Sequence, residues 1–360
     1  MKFKLFLLVC ICLFTNNLFS QFSKYSNEFL AIGVSARGLG MAGSVVASVN
    51  DVSSGYWNPA GLVSIEDGIQ ISAMHSEYFA GIANYDYASI AAPVGIADKY
   101  IGLSLIRFGV DDIPNTLFLV QPDGSLNYDN ITSFSAIDFA ALVSYSQNTG
   151  IEGLRMGGNA KLIRRKVGDF AGSWGAGIDF GMQYENEGLR LGAVVKDVTT
   201  TFNAWNFNFT SAEQQVLLST GNVVPDNSIE LTAPRLILGA AYNFEMGENF
   251  SLLPELDCDV TTDGKRNTLI SSKPFSFDPH LGIEAGYKQA VFLRAGLGNI
   301  QKTKDDVSSE TITSIQPNIG VGLNIKNVKI DYALTNLGNL SESLYSHVFS
   351  LRITLNKHDW

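Results

Sequence analysis

From about Asp67 onward the chain alternates apolar and polar residues with a period of two. In TSIQPNIGVGLNI, Ile315, Pro317, Ile319, Val321, Leu323 and Ile325 fall on one side, and Ser314, Gln316, Asn318, Gly320, Gly322 and Asn324 on the other. Alternation of this length predicts a strand with one oily and one polar face. Pro317 cannot donate to a ladder, so a bulge is expected there. The next stretch sets Val328, Ile330, Tyr332 and Leu334 against Lys329, Asp331 and Ala333, and the last sets Phe349, Leu351, Ile353 and Leu355 against Ser350, Arg352, Thr354 and Asn356. Fourteen such segments are predicted, near 67–79, 83–95, 99–110, 134–147, 152–166, 170–185, 188–199, 232–244, 249–260, 279–288, 290–300, 313–325, 327–335 and 345–357.

The connections sort by parity. Even ones are short: GIADK, NTG, ENEG, MGEN, Lys288-Gln289 and Lys326-Asn327. Odd ones are mostly long, 111–133, 200–231, 261–278, 301–312 and 336–344, with two short exceptions near Ala80 and Gly168. Membrane barrels combine an even strand number with short turns on one rim and long loops on the other. A soluble sandwich has no reason to do this. Segments of roughly 11 residues also suit a tilted bilayer crossing. The expected fold is all-β: a transmembrane antiparallel β-barrel of about 14 strands, with Trp360 as an aromatic terminus.

Composition supports that expectation. Charged residues are 17%, below the ~25% usual for soluble domains, while Gly 34, Phe 22 and Tyr 13 are generous. Met1–Ser20 reads as a cleavable secretory signal: Lys2 and Lys4, an apolar run from Leu5 to Phe14, and a small residue before Gln21. A lipoprotein reading through Cys10 is disfavoured by the bulky Val9. Cleavage removes Cys10 and Cys12, leaves Cys258 without a partner for an internal disulfide, and takes the net charge of −10 two units lower. An acidic chain argues against nucleic acid as a partner. The expected organisation is a signal over 1–20, an N-terminal segment over 21–65 and a barrel over 66–360.

The N-terminal segment holds GLGMAG, a literal G-x-G-x-x-G at Gly38, Gly40 and Gly43. A dinucleotide fingerprint must sit between a strand and a helix in a βαβ unit, and no such alternation follows. The steric reading is preferred: these glycines let the backbone turn and lie close against a wall, as a plug inside the lumen requires. The stretch GVSARGLGMAGSVVASVNDVSSGYWNPAGL resembles the N-terminal signature of the PorV/PorQ family of FadL-type outer-membrane barrels, through Ala36, Arg37, Gly40, Met41, Gly43, Asp51, Asn58, Pro59, Ala60, Gly61 and Leu62. Ala42 stands where that signature usually has glycine. The resemblance implies an N-terminal hatch in a fourteen-stranded barrel, in a Bacteroidota-like outer membrane. It also implies one of two roles. The first is an accessory of type IX protein secretion, with a translocon or cargo proteins as partners. The alternative is a FadL-like passive path for hydrophobic small molecules.

Several side chains are candidates for chemistry. Glu255, Asp257 and Asp259 share one strand face opposite Leu256, Cys258 and Val260. Facing a lumen, they suit either Ca²⁺ or pairing with cations, and pairing is preferred. Arg155, Lys161 and Arg165 supply the cations, sharing a face with Asn159, while Arg164 breaks the alternation at a rim. Arg37 and Asp51 are expected to bond to the wall and hold the hatch. Asn58-Pro59 is expected to turn the chain into the first strand, with Tyr56 and Trp57 packing the hatch. In loop 111–133, Ile113, Leu117, Phe118, Leu119 and Val120 form an apolar cluster of the kind that marks a partner site. No catalytic motif is found: His75, His280, His347 and His358 are scattered, and H-E-x-x-H, C-x-x-C and G-x-S-x-G do not occur. The chain is therefore read as a non-enzyme without a cofactor.

Overall fold

The structure is a computed structural model that describes residues 25–66, 68–78, 81–95, 98–121, 123–304, 311–335 and 345–355. The expected signal over 1–20, the expected loop 336–344 and Trp360 lie outside the described residues. Fourteen antiparallel strands close into one barrel. They are β1 (Ile69–Tyr78), β2 (Ala83–Pro93), β3 (Lys99–Asn115), β4 (Thr132–Asn148) and β5 (Leu154–Val167). Next come β6 (Ala171–Asn186), β7 (Leu189–Lys196 continued by Thr201–Phe207), β8 (Ser228–Thr232 continued by Arg235–Tyr242) and β9 (Phe250–Thr261). The last are β10 (Ser276–Tyr287), β11 (Val291–Lys304), β12 (Thr311–Ile325), β13 (Val328–Thr335) and β14 (Ser346–Leu355). Closure comes from β1 pairing with β14, from Ile69↔Leu355 to Glu77↔His347.

The alternation has the polarity that a hydrocarbon solvent demands. Leu103, Leu256 and Leu293 point outward and are 40%, 54% and 60% exposed, whereas the inward Ser104, Asn203 and Asp257 are at most 1% exposed. Only a closed barrel lets strands satisfy every backbone group without water. Short hairpins gather on one rim. Glu187-Gly188 turns there with both residues at positive φ, 46° and 87°, the handedness that matches strand twist.

Strand ends differ from expectation for a common reason, the bulge. In β3 the register shifts between Val110 and Ile113, and pairing then resumes as far as Asn115. Residues 111–115, expected in a loop, are therefore strand. In β7 the residues 197–200 bulge out of the ladder, and the inward parity passes from Val194 and Lys196 to Thr201 and Asn203. That flip hid the strand character of 201–207, which pairs with 171–176 and with 228–232. The rest of the long β7–β8 connection carries a nine-residue helix, Ser211–Ser219, started by a Thr210/Glu213 capping box. The bulge expected at Pro317 lies instead on the neighbouring strand, between Gly298 and Gln301, while Pro317 itself pairs with Leu297.

Inward residues do not meet an empty lumen. Phe29, Val34, Leu39, Met41, Val45, Val49, Tyr56 and Trp57 of the N-terminal segment form one buried cluster with Met74, Tyr85, Tyr87, Ile106, Leu142, Ile163 and Val348 of the wall. The apolar core therefore lies between that segment and one side of the barrel, chiefly β1 to β5 and β14. The inside-out polarity predicts that Leu256→Arg costs about 2–4 kcal/mol in bilayer vesicles, read by denaturant titration, while the inward Gln316→Arg changes stability by less than ~1 kcal/mol.

Candidate functional site

The N-terminal segment is short-range in its own structure and long-range in its contacts. A 3-10 turn at Glu28–Ala31 is followed by two short helices, α1 (Ala36–Gly40) and α2 (Ser54–Trp57), and a 3-10 stretch at Pro59–Ser64. Helices this short cannot persist alone, so tertiary contacts hold them. The glycines show how close the approach is. A Cβ on Gly38 would lie 2.8 Å from the Trp57 indole, and one on Gly40 would lie 3.2 Å from the Cα of Gly320 in β12. The wall gives way in the same manner: side chains at Gly157, Gly192 and Gly296 would run into the backbone of Pro59, Val46 and Ala42. Met41 packs fully buried, and Gly43 takes φ 81°.

Asn58 links segment and wall. Its amide donates to the carbonyls of Val46 (2.9 Å) and Met182 (3.0 Å), and its Oδ1 accepts from the Ala60 amide (3.2 Å). Pro59, Ala60 and Gly61 follow as a buried 3-10 stretch rather than a simple turn, because Asn58 caps it and Pro59 presets its first residue. Tyr56 and Trp57 are buried; their ring hydroxyl and indole N–H donate to Leu30 O (2.7 Å) and Val34 O (3.0 Å).

Charges fix the remaining side. Arg37 donates to Glu284 of β10 at 3.0 and 3.3 Å, Glu284 also accepts from Arg294 of β11 at 2.6 Å, and Arg294 reaches Asp331 of β13 at 2.7 Å. Asp51 accepts from Arg352 of β14 and from the Ser53 hydroxyl at 2.5 Å. Burial opposes the charge on Asp51, but Arg352 and Arg37, with the Ser53 hydrogen bond, overcome it and hold the carboxyl at about 2, below its ordinary 3.8.

The carboxylates on β9 take a different partner from the expected one. Glu255 Oε1 accepts from the amides of Ala47 (2.7 Å) and Ser48 (3.2 Å), and Asp257 Oδ2 from those of Val45 and Val46 (3.0 Å each). Asp259 pairs with Arg235 at 3.4 Å. The expected cations are engaged elsewhere. Lys161 meets Asp179 (2.7 Å) and Asp197 (2.5 Å), Arg165 meets Asp138 (3.0 Å) and Glu230 (3.5 Å), and Arg155 bonds Glu185 and Ser64. The reason is geometric. Each cation finds a carboxylate on the β4–β8 side of the barrel, whereas β9 faces four amides of the segment left without a ladder. Among the described residues no cluster of three metal-ligating side chains is found.

Above the segment lies a cavity of about 790 Å³. Phe29, Ile32, Leu39, Tyr56 and Trp57 give it an oily, aromatic floor, and Lys196, Arg235, His280, Asn299 and Gln316 a polar wall. The Lys196 ammonium lies 4.3 Å from the Tyr56 ring centroid and 5.9 Å from that of Trp57, a cation–π geometry. Among the described residues no carboxylate lies within 4 Å of it. A tighter cavity of about 40 Å³ shares Tyr56, Lys196, Arg235 and Arg266 and reaches Lys161 and Asp179. Sequence reasoning did not single out Lys196, Glu284, Arg294 or Arg352. Their available signal was a charged residue on the polar side of an alternating strand, as in LGIEAGY and VFLRAGLG.

The apolar residues of 111–133 stand at the long-loop rim. Ile113 is in β3, and Leu117, Phe118, Leu119 and Val120 follow it, with Phe118 and Val120 exposed and Val120 bridged to Leu126.

The fold is that of the FadL-type outer-membrane barrels. The CymD monoaromatic hydrocarbon channel matches with a TM-score of 0.59 and 13% identity, covering 91% of this chain and 99% of its own. The P. putida toluene transporter TodX matches at 0.58 and 14%, covering 91% and 99%. A Pseudomonas aeruginosa FadL homologue matches at 0.55 and 12%, covering 90% and 98%. No protein-family model matches the chain. No curated protein matches its sequence. The expected role as a type IX secretion accessory is corrected by these likenesses. CymD and TodX, which share the architecture over nine-tenths of the chain, are named as a monoaromatic hydrocarbon channel and a toluene transporter, not as secretion proteins or enzymes.

Two outcomes test the docking. Glu255→Ala with Asp257→Ala removes the acceptors of four amide contacts, each worth about 1 kcal/mol net. Limited proteolysis of the folded barrel is then expected to cut within 44–50, which the parent protects. The depressed carboxyl of Asp51 contributes stability that is complete above about pH 4 and lost as pH falls towards about 2. Trp57 fluorescence in detergent is expected to change across that window, and Asp51→Asn to abolish the change.

Proposed function

We propose that this chain is an outer-membrane protein, exported by residues 1–20 as a cleavable signal, that passes hydrophobic small molecules across the membrane. In this reading residues 21–65 form a hatch inside a barrel spanning 66–360, and solutes enter the chamber above the hatch from the long-loop rim. The observation that carries it is the chamber of about 790 Å³, floored by Phe29, Ile32, Leu39, Tyr56 and Trp57. Binding sites for small molecules are concave, and volumes of ~300–1,000 Å³ are usual. The fold likeness to hydrocarbon channels points the same way. The thirty residues resembling the PorV/PorQ signature supply Leu39, Tyr56 and Trp57 of this floor and the anchors Arg37, Asp51 and Asn58, which supports placing the chain in that branch of the FadL-type barrels.

Filling the chamber tests the reading. Ala31 lines it and is half-buried. Ala31→Trp is expected to lower uptake of a radiolabelled monoaromatic or aliphatic solute by about tenfold, while heat-modifiable mobility on gels stays that of the folded barrel. Unchanged uptake by a correctly folded, chamber-filled variant would overturn the proposal.

A further inference from the structure

A second hollow, of about 370 Å³, lies on the outside of the barrel over β2 to β6. Its residues form two consecutive rows of cross-strand partners. Nearer the long-loop rim, Asp86↔Arg107↔Phe139↔Arg164↔Trp174 face outward in one row. One step towards the short-turn rim, the row is Ala88↔Leu105↔Ala141↔Leu162↔Ala176. The small side chains Ala88 and Ala141 leave the hollow between Leu105 and Leu162. It is an oily groove with a charged upper edge.

The charges at that edge are unequal. Arg107 has two carboxylate partners, Asp86 at 3.2 Å and Asp111 at 3.9 Å. Arg164 meets no carboxylate within 4 Å among the described residues. Its guanidinium donates to the carbonyls of Ser173 (3.0 Å) and Arg165 (3.3 Å) and lies 5.2 Å from the Trp174 ring centroid. A Cβ on Gly172 would lie 2.8 Å from Arg164 Nη1, so the guanidinium rises past a glycine towards the long-loop rim. This is the snorkelling posture of a cation at a bilayer boundary. A guanidinium offers forked donors that suit a phosphate group. On a surface facing hydrocarbon, its missing counter-charge has to come from the lipid.

The geometry points to a specific lipid site: the phosphate of a phosphate-bearing lipid sits on Arg164, and one of its acyl chains fills the groove between Leu105 and Leu162. The site rests on the outward face lying in a bilayer, as proposed above, but not on what the lumen carries. It is separate from the chamber, which opens on the other side of the wall.

The test is lipid retention by the full chain. The protein is reconstituted into phosphatidylcholine vesicles containing a minor fraction of phosphatidic acid, recovered by flotation, extracted in mild detergent and measured for co-purifying lipid by native mass spectrometry. The parent is expected to retain phosphatidic acid in preference to phosphatidylcholine. Arg164→Gln should lower that retention about tenfold, the loss of one charge-assisted contact, Ala141→Phe should lower it by filling the groove, and Arg164→Lys should keep most of it. Glycerol phosphate, which has the head but no chain, should not displace the lipid. Vesicle-borne protein with equal retention in parent and Arg164→Gln, or displacement by glycerol phosphate, overturns the site and leaves the membrane reading intact. Failure to float with vesicles overturns both.

Discussion

A strand whose outer face is solvated by hydrocarbon sends its polar side chains inward, save near a rim, where Asp86, Arg107 and Arg164 stand outward. That constraint organises the whole molecule. Fourteen strands send Ser, Asn, Asp, Glu, Lys and Arg into a space too narrow to hydrate them all, and each buried polar group must find a partner or be costly. The N-terminal segment supplies a large share of those partners. It brings unladdered amides to Glu255 and Asp257, a guanidinium to Glu284 and a carboxylate to Arg352. Segment and wall thus complete each other: the segment's helices are too short to stand alone, and the wall's charges are too buried to stand unpaired.

Much of the fold was legible in the sequence because a period of two leaves a direct trace. All fourteen strands are in the expected order, and the sorting of short and long connections by parity holds. The errors cluster where one or more extra residues reset the phase. Three such residues near Asp197 exchanged the inward and outward sets, and the strand Thr201–Phe207 then read as loop. The interior was less legible. That Glu255 and Asp257 face inward follows from alternation, but their partners are backbone amides more than two hundred positions away, and an amide has no residue identity to read. Arg37 is similar. Its place in a motif was visible, whereas Glu284, its counter-charge, is one carboxylate among many on alternating strands. The chamber's oily floor was hidden for a related reason: Phe29, Ile32 and Leu39 belong to an irregular segment without a period.

The interior is divided between two kinds of adhesion. On one side, Met74, Tyr85, Ile106, Leu142 and Ile163 press apolar surface against the segment. On the other, β9 to β14 offer carboxylates and guanidinia. The two differ in tolerance. Apolar contact is non-directional and survives small shifts, while a charged hydrogen bond fails within a fraction of an ångström. The charged side therefore sets the register of the segment, and the apolar side supplies area.

The holding is also uneven along the segment. Val45–Ser64 is fixed by buried donors and acceptors on several strands, with Asn58 joining segment and wall. Tyr25–Gly33 is fixed differently: Ser26 and Asn27 meet Thr232, Asn27 accepts from Asn203, and Glu28 meets the half-buried Arg266 at 3.3 Å. Of these, only the Glu28–Arg266 pair lines the chamber, where competing water weakens it, while Ser26 and Asn27 are buried. The same stretch contributes Phe29, Ala31 and Ile32 to the chamber. On the proposed transport reading a solute in the chamber touches this stretch, whereas Asn58, Arg37 and Asp51 do not line it. The wall's buried charges thus hold positions of the segment that the chamber does not reach.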